Sequence, residues 1–176
     1  MTYGRRMQTK LGGSPTANPN RLRSDLLLKL EMESNPESLC LVRAAVERAT
    51  EVLHFQEADS RAIVRSVDEA LANVMRHAYK GEKGRTIEVT CRRLHGERRE
   101  DNREGIEIVM LDSGAPLDPT KLKSRSLEDV RPGGLGLHFM RQGMDKVEFS
   151  RKKGKNQLRL VKYLATAAPA VSPEGE

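Results

Sequence analysis

Apolar and polar positions along the chain follow two periods, one typical of strands and one typical of helices. Alternation at every second residue favours a strand with one buried face, whereas apolar residues three and four positions apart favour a helix. Alternation predicts strands at 24–32, 86–91, 106–111, 146–151 and 157–163, and helical spacing predicts helices at 36–53, 59–77 and 135–144. A two-layer α/β (α+β) sandwich, with a mostly antiparallel sheet and the helices on one of its faces, accommodates this order best.

The first two predicted helices each carry one apolar stripe. The first stripe comprises Leu39, Val42, Val46, Ala49 and Leu53, and the second comprises Ile63, Val67, Leu71 and Val74. Asn35 and Pro36 supply a helix cap and a proline suited to a first helical turn. We expect both helices to bury their stripes in one core.

Both ends of the chain lack such periodicity. Residues 1–22 and 165–176 are rich in small, polar and proline residues, which predicts disordered tails around one domain at 23–164. Within that domain, 113–134 carries Gly, Pro, Ser and charge over a length that is usually functional or mobile. We interpret this segment as a lid.

The composition describes a soluble protein with an aliphatic interior, because 37% of residues are hydrophobic, 32% charged and 3% aromatic. No apolar run approaches the roughly 20 residues that a membrane helix needs, and the first residues lack the apolar segment of a secretion signal. Cys40 and Cys91 are far apart and form no metal-binding or redox pair, which favours the cytoplasm.

The net charge of +6 is weak support for nucleic-acid binding. The basic clusters, such as 121–125 and 151–153, lack the interleaved aromatic residues of a base-stacking surface. Solvated loops explain them more simply.

The second predicted helix carries a polar line. Glu69, Asn73 and His77 are four residues apart, so they lie on successive turns of one helical face. In isolation, such residues are most simply the solvent face of a helix. An Asn carbonyl is nevertheless a good oxygen ligand for Mg2+, and a neighbouring Glu can accept a proton from an attacking hydroxyl.

Two glycine-containing segments follow. Asp112 ends an apolar strand, where its carboxylate can accept a hydrogen bond from an exocyclic amine. Gly114 leaves room for a flat base to approach the backbone. The alternative interpretation is an ordinary tight turn at the end of a strand. Gly134 and Gly136 lead into the third predicted helix, and the free N–H groups at a helix start can bind phosphate. The alternative is that the two glycines form a hinge. The chain lacks a P-loop and a complete dinucleotide fingerprint, which disfavours those two nucleotide folds.

Three motifs of this chain resemble the N, G1 and G2 boxes of the GHKL ATPase superfamily, and they occur in the same order. They are the acidic residue and Asn of the second helix, the Asp-x-Gly turn and the Gly-x-Gly start of the third helix. The segments 67–79 and 131–147 are especially similar to the anti-sigma factor serine-protein kinases within it. The resemblance covers about residues 24–164 and implies the histidine kinase-like ATPase (Bergerat) fold.

The resemblance implies an ATP site with Mg2+. Asn73 would coordinate Mg2+ and Glu69 would act as the catalytic base. Asp112 would hold the adenine amino group beside Gly114. His77 matches a family histidine, for which a structural role at the helix end is the alternative.

The phosphates of ATP would lie at the third helix in this resemblance. Gly134 and Gly136 would cradle them, and Arg131 is either a ligand of the γ-phosphate or a solvated side chain. One departure concerns the base. Many relatives have Gly-Thr before the last strand, where this chain has Lys155 and Asn156. The threonine hydroxyl that helps to fix the adenine-bound carboxylate is therefore missing. Asn156 is the candidate substitute for it.

The resemblance also implies partners and a reaction. The protein would phosphorylate Ser or Thr on an anti-sigma factor antagonist, a STAS-domain protein, and would sequester an RNA polymerase sigma factor as a homodimer, without contacting nucleic acid or a membrane. An ATP-gated partner-binding module without catalysis is the alternative function. A histidine-kinase catalytic fragment is disfavoured, because the chain has no room for a dimerisation helix pair with a phosphorylatable His.

Overall fold

The structure, a computed structural model, describes residues 25–96, 103–116 and 136–165. Within these ranges the strands are β1 (Leu26–Glu33), β2 (Thr86–Leu94), β3 (Gly105–Asp112), β4 (Lys146–Lys152) and β5 (Lys155–Tyr163). The α-helices are α1 (Leu39–Val52), α2 (Glu57–Asn73) and α3 (Gly136–Gly143). The strands form one sheet in the order β1-β2-β3-β5-β4, and all neighbours are antiparallel. The predicted α/β sandwich with an antiparallel sheet is confirmed.

Parts of the sequence interpretation lie outside the described residues. These are the tail at 1–22, most of the lid at 113–134 and all but the first residue of the tail at 165–176. They stay predictions.

One face of the sheet is apolar because every second residue of each strand points to the helices. The register places Val89 opposite Met110, and Met110 opposite Leu158, and all three side chains are buried. The buried parts of the two helical stripes, Val42, Val46, Ala49, Leu53, Ile63, Val67 and Leu71, belong to the same core. At about 25 cal/mol per Å2, each buried Val, Leu or Ile side chain of this set contributes about 2 kcal/mol.

The opposite face of the sheet is lined with paired charges. Glu88 lies between Lys155 and Lys29, whose Nζ atoms are 2.6 and 3.4 Å from its carboxylate oxygens. Arg159 bridges Glu107 at 2.6 Å and Glu148 at 2.8 Å. The hydrogen bond from Lys155 is the main reason that the pKa of Glu88 is lowered from its ordinary value.

The start of α1 follows the predicted cap. The Asn35 side-chain oxygen accepts a hydrogen bond from the Glu37 N–H at 3.2 Å. A single 3₁₀ turn at Pro36–Ser38 precedes α1. The ring of Pro36 fixes φ at a value that suits a first helical turn, where a backbone N–H would have no partner.

The end of α2 differs from the prediction of an α-helix to residue 77. The α-helical pattern stops at Asn73, and Val74–Ala78 forms a π-helical turn. A π-helix closes its hydrogen bonds over five residues instead of four, and such turns are frequent at functional sites. Nothing in the side-chain pattern of this segment marks the change, which is a property of the backbone.

Candidate functional site

The polar residues of α2 meet at its C-terminal end. Glu69 and Asn73 are half-buried, one turn apart on the same face. The Glu69 Oε1 atom is 3.4 Å from Nη2 of Arg76, and the Asn73 carboxamide makes no hydrogen bond to any described residue. An unpartnered amide beside a carboxylate is therefore available to a ligand.

His77 lies on the π-helical turn that follows this pair. Its side chain is exposed, whereas those of Glu69 and Asn73 are half-buried. Sequence periodicity alone treats all residues to 77 as α-helical. A role for His77 at the nucleotide stays a prediction.

Gly136 lies directly against Glu69. A β-carbon built on Gly136 would overlap the carboxylate of Glu69 and would come within 2.5 Å of its Cγ. The first residue of α3 and the acidic residue of α2 thus touch, although they are far apart in sequence. Only a glycine permits this approach without displacing the glutamate.

Asp112 is held in place at the end of β3. Its Oδ1 atom accepts hydrogen bonds from the Gly114 N–H at 2.8 Å and from Nδ2 of Asn156 at 2.8 Å. The two side chains are 7% and 3% exposed, so these are buried polar contacts at the rim of the apolar face. The Oδ2 atom makes no hydrogen bond to a described residue and remains able to accept one.

The turn after Asp112 is docked on the end of the π-helical turn. The Ala115 N–H donates to the Ala78 carbonyl at 2.9 Å, and a β-carbon on Gly114 would come within 2.7 Å of the Ala78 backbone. The Tyr79 hydroxyl accepts from the Ser113 N–H at 3.1 Å and donates to the Thr86 carbonyl at 2.5 Å. These bonds join the Asp112 turn to the helix that carries Glu69 and Asn73.

The predicted substitute for the missing hydroxyl is in position. Asn156 donates to Asp112, as the departure from the Gly-Thr pattern predicts. Arg151, which sequence reasoning missed, donates from Nη1 to the Asn156 side-chain oxygen and to the Gly114 carbonyl. The signal that would have found it is the tight turn between β4 and β5, which pairs position 151 with position 156.

These residues fit Mg-ATP. Asp112 Oδ2 is an acceptor without a partner among the described residues, which suits an exocyclic amine. The space that a side chain on Gly114 would take is filled by Ala78, so the glycine permits the docking of the turn. Mg2+ in nucleotide sites takes few protein oxygens and fills its other positions with phosphates and water, and the Asn73 carbonyl would supply one such oxygen.

Two of the predicted site residues, Arg131 and Gly134, lie outside the described residues, as does the basic group at 121–125. Among the residues that are described, no three His, Cys, Asp or Glu side chains gather into a metal cluster. Across the same residues, no helix has the length and apolar character to cross a membrane.

Known proteins resemble this chain in sequence. The family model "Histidine kinase-like ATPase domain" matches residues 32–162. The chain is 37% identical over 102 residues to the serine/threonine-protein kinase BtrW of Bordetella bronchiseptica, a match that covers 56% of this chain and 66% of that protein. It is 26% identical over 136 residues to the serine-protein kinase RsbW of Bacillus pumilus, covering 73% of this chain and 80% of the relative.

Solved structures resemble the fold. The SiaB–SiaC complex from Pseudomonas aeruginosa matches with a TM-score of 0.58 and 18% identity, covering 81% of this chain and 92% of the matched one. The RsbU and RsbW domains of a Mycobacterium tuberculosis protein match with a TM-score of 0.52 and 16% identity, covering 82% of this chain and 35% of the other. With its sheet, its three motifs and these matches, the chain belongs to the histidine kinase-like ATPase domain family of the GHKL superfamily, in the branch of the anti-sigma factor serine-protein kinases.

Proposed function

We propose that this protein binds Mg-ATP and transfers the γ-phosphoryl group to a Ser or Thr of an anti-sigma factor antagonist, a STAS-domain protein. In its other engagement it sequesters an RNA polymerase sigma factor, as a homodimer. The observation that carries the proposal is the docking of the Asp112 turn on Ala78, because it joins the base-binding carboxylate to the helix of Glu69 and Asn73. The similarity to proteins named serine-protein kinases supports the reaction.

Each residue has one task in the proposed reaction. Asp112 accepts a hydrogen bond from the adenine amino group and orients the nucleotide. Asn73 offers its carbonyl oxygen to Mg2+, which when bound neutralises charge on the phosphates. Gly136 exposes the first N–H groups of α3 beside Glu69, where they suit the phosphate chain.

Glu69 is the proposed base. The acceptor hydroxyl oxygen forms a bond to the γ-phosphorus, the bond from that phosphorus to the bridging oxygen breaks, and ADP leaves. The hydroxyl proton passes to the Glu69 carboxylate. Phosphorylation adds about two negative charges to the antagonist, which favours its release from the protein.

Binding is tested first. Calorimetry of Mg-ATP with the wild type and with Asn73→Ala should show magnesium-dependent binding that the substitution abolishes. Asn35→Ala is the matched control, since it removes the same side chain at the cap of the 3₁₀ turn. No binding by the wild type would refute the ATP site.

Phosphoryl transfer is tested next, with labelled ATP and purified STAS-domain proteins from the same organism. Glu69→Gln should reduce transfer by about 10² to 10⁴, the usual contribution of general-base catalysis, while ATP still binds. Glu57→Gln is the matched control, because Glu57 lies exposed at the start of the same helix. Equal transfer by Glu69→Gln and wild type would refute the assignment of the base.

One observation favours the alternative of an ATP-gated partner-binding module. Arg76 lies 3.4 Å from Glu69 and competes for the carboxylate oxygen that a substrate hydroxyl would use. In that case the wild type binds ATP and its partners, but no labelled phosphate reaches the STAS-domain protein. An Arg76→Ala variant that gains transfer would identify this contact as the block.

A further inference from the structure

A row of three polar side chains crosses the sheet at the proposed base-binding end. Arg151 of β4 pairs with Asn156 of β5, and Asn156 pairs with Asp112 of β3. All three lie on strand positions that face the helices, because each is two residues along its strand from a core-facing residue. These residues are the partly buried Phe149 for Arg151, and the buried Leu158 and Met110 for Asn156 and Asp112. The row closes the apolar face with a chain of hydrogen bonds.

The chain of hydrogen bonds has a direction. Arg151 has only donors, so the atom of Asn156 that faces it must be the carbonyl oxygen. The amide nitrogen Nδ2 is thereby turned towards Asp112, to which it donates at 2.8 Å, and towards the Ala115 carbonyl at 3.0 Å. If the amide were reversed, its oxygen would face the oxygens of Asp112 and of the turn, and both contacts would be repulsive.

A threonine hydroxyl needs no such control. A hydroxyl rotates freely and can donate or accept through one oxygen, whereas the two ends of an amide differ. An asparagine at position 156 therefore serves Asp112 only while something fixes its orientation. Asp112 and the turn carbonyls accept from one end of the amide, and Arg151 holds the other end by donating to its oxygen. The second bond of Arg151, to the Gly114 carbonyl at 3.2 Å, holds the turn as well.

We propose that Arg151 is a positioning residue for adenine recognition, which acts by fixing the amide of Asn156 so that Asp112 keeps Oδ2 free for the 6-amino group. This inference rests on the proposed ATP site. The two hydrogen bonds that Oδ1 accepts occupy that oxygen and leave the other for the ligand. Arg151 does not touch the nucleotide in this arrangement.

The inference makes a prediction about nucleotide selectivity. Inosine triphosphate differs from ATP in having a carbonyl oxygen where adenine has the amino group, so it gains nothing from a correctly placed Asp112. Arg151→Met should weaken ATP binding about tenfold, which is the change in affinity expected from the loss of one charge-assisted hydrogen bond. It should leave the weaker binding of inosine triphosphate unchanged. Lys152→Met is the matched control, because it removes the same charge from the adjacent, exposed position.

A double-mutant cycle with Asn156→Thr separates the proposed role from a general structural one. The threonine restores a hydroxyl that needs no orienting partner, so Arg151→Met should change ATP affinity less than twofold in that background. A tenfold loss in both backgrounds, or an equal loss for ATP and inosine triphosphate, would overturn the inference. So would an Arg151→Met variant that binds ATP like the wild type.

A measurement without nucleotide completes the test. In the wild type, the side-chain amide protons of Asn156 should exchange slowly by NMR, and Arg151→Met should accelerate their exchange; unchanged exchange would contradict the proposed orientation. Failure of the proposed function has a different signature, since the wild type then binds neither ATP nor inosine triphosphate and the adenine role falls with it.

Discussion

Gly136 and Glu69 are in direct contact, with the α-carbon of the glycine against the side chain of the glutamate. The contact joins the start of α3 to the last turns of α2. It requires the absence of a side chain at position 136, because a β-carbon there would overlap the carboxylate and lie 2.5 Å from Cγ.

Gly136→Ala should therefore displace the Glu69 side chain. We expect phosphoryl transfer to fall about 10²-fold, as for loss of a positioned base, with little change in melting temperature because the glutamate can swing away. Transfer kinetics and thermal denaturation measure the two effects. Gly143→Ala is the control on the same helix, since its β-carbon would press on Ser66 at 3.0 Å and leave Glu69 untouched. Full activity in Gly136→Ala would contradict the role given to this contact.

Gly114→Ala should damage both stability and nucleotide binding. Its β-carbon would come within 2.7 Å of the Ala78 backbone, which cannot yield as a flexible side chain does. We expect a loss of about 1–3 kcal/mol in the free energy of unfolding, typical of overpacking, and weaker ATP binding as the Asp112 turn is pushed away. Urea denaturation and calorimetry measure these changes.

The control for Gly114 is Gly154→Ala. Gly154 has a φ of +80°, and no described atom lies within 4 Å of the position that an added methyl group would take, so the substitution adds backbone strain at a turn without a collision. It should cost about 1 kcal/mol and leave ATP affinity intact. Equal effects of the two substitutions on ATP binding would refute the docking argument.

The two cysteines should differ in reactivity. Burial raises the pKa of Cys91 to about 12, so almost none of it is thiolate at mildly alkaline pH, whereas Cys40 is exposed on α1. A maleimide should modify one cysteine in the native protein and both after unfolding. Mass spectrometry identifies the site, and modification of Cys91 in the native state would contradict the packing of β2.

The paired charges around Glu88, on the face of the sheet opposite the helices, should make the free energy of unfolding depend on pH. The hydrogen bond from Lys155 lowers the pKa of Glu88 below its ordinary value of 4.5. Folding stability from this pair is thus present above pH 4.5 and is lost as the pH falls from there through the lower folded-state pKa. Urea unfolding of the wild type and of Glu88→Gln at several pH values should show a smaller loss on acidification in the variant. Parallel curves would refute the assignment.

The order of the elements could be read from the sequence because burial of one face imposes a local period on each strand and helix. Most stripe residues are buried, such as Val46 and Val67, and those at stripe ends, such as Leu39 and Val74, only partly. The end of α2 could not be read, because no helix-breaking residue marks the change from α- to π-helical hydrogen bonding at Val74.

By itself the sequence determined the alternating strands, the apolar stripes and the residue types of the three motifs, since each of these depends on neighbours a few positions apart. It also identified Asn156 as the replacement for a hydroxyl. Only the tertiary structure decided that Gly136 touches Glu69 and that Arg151 donates a hydrogen bond to Asn156. Those relations depend on strand register and helix packing, which bring together residues that no local pattern links.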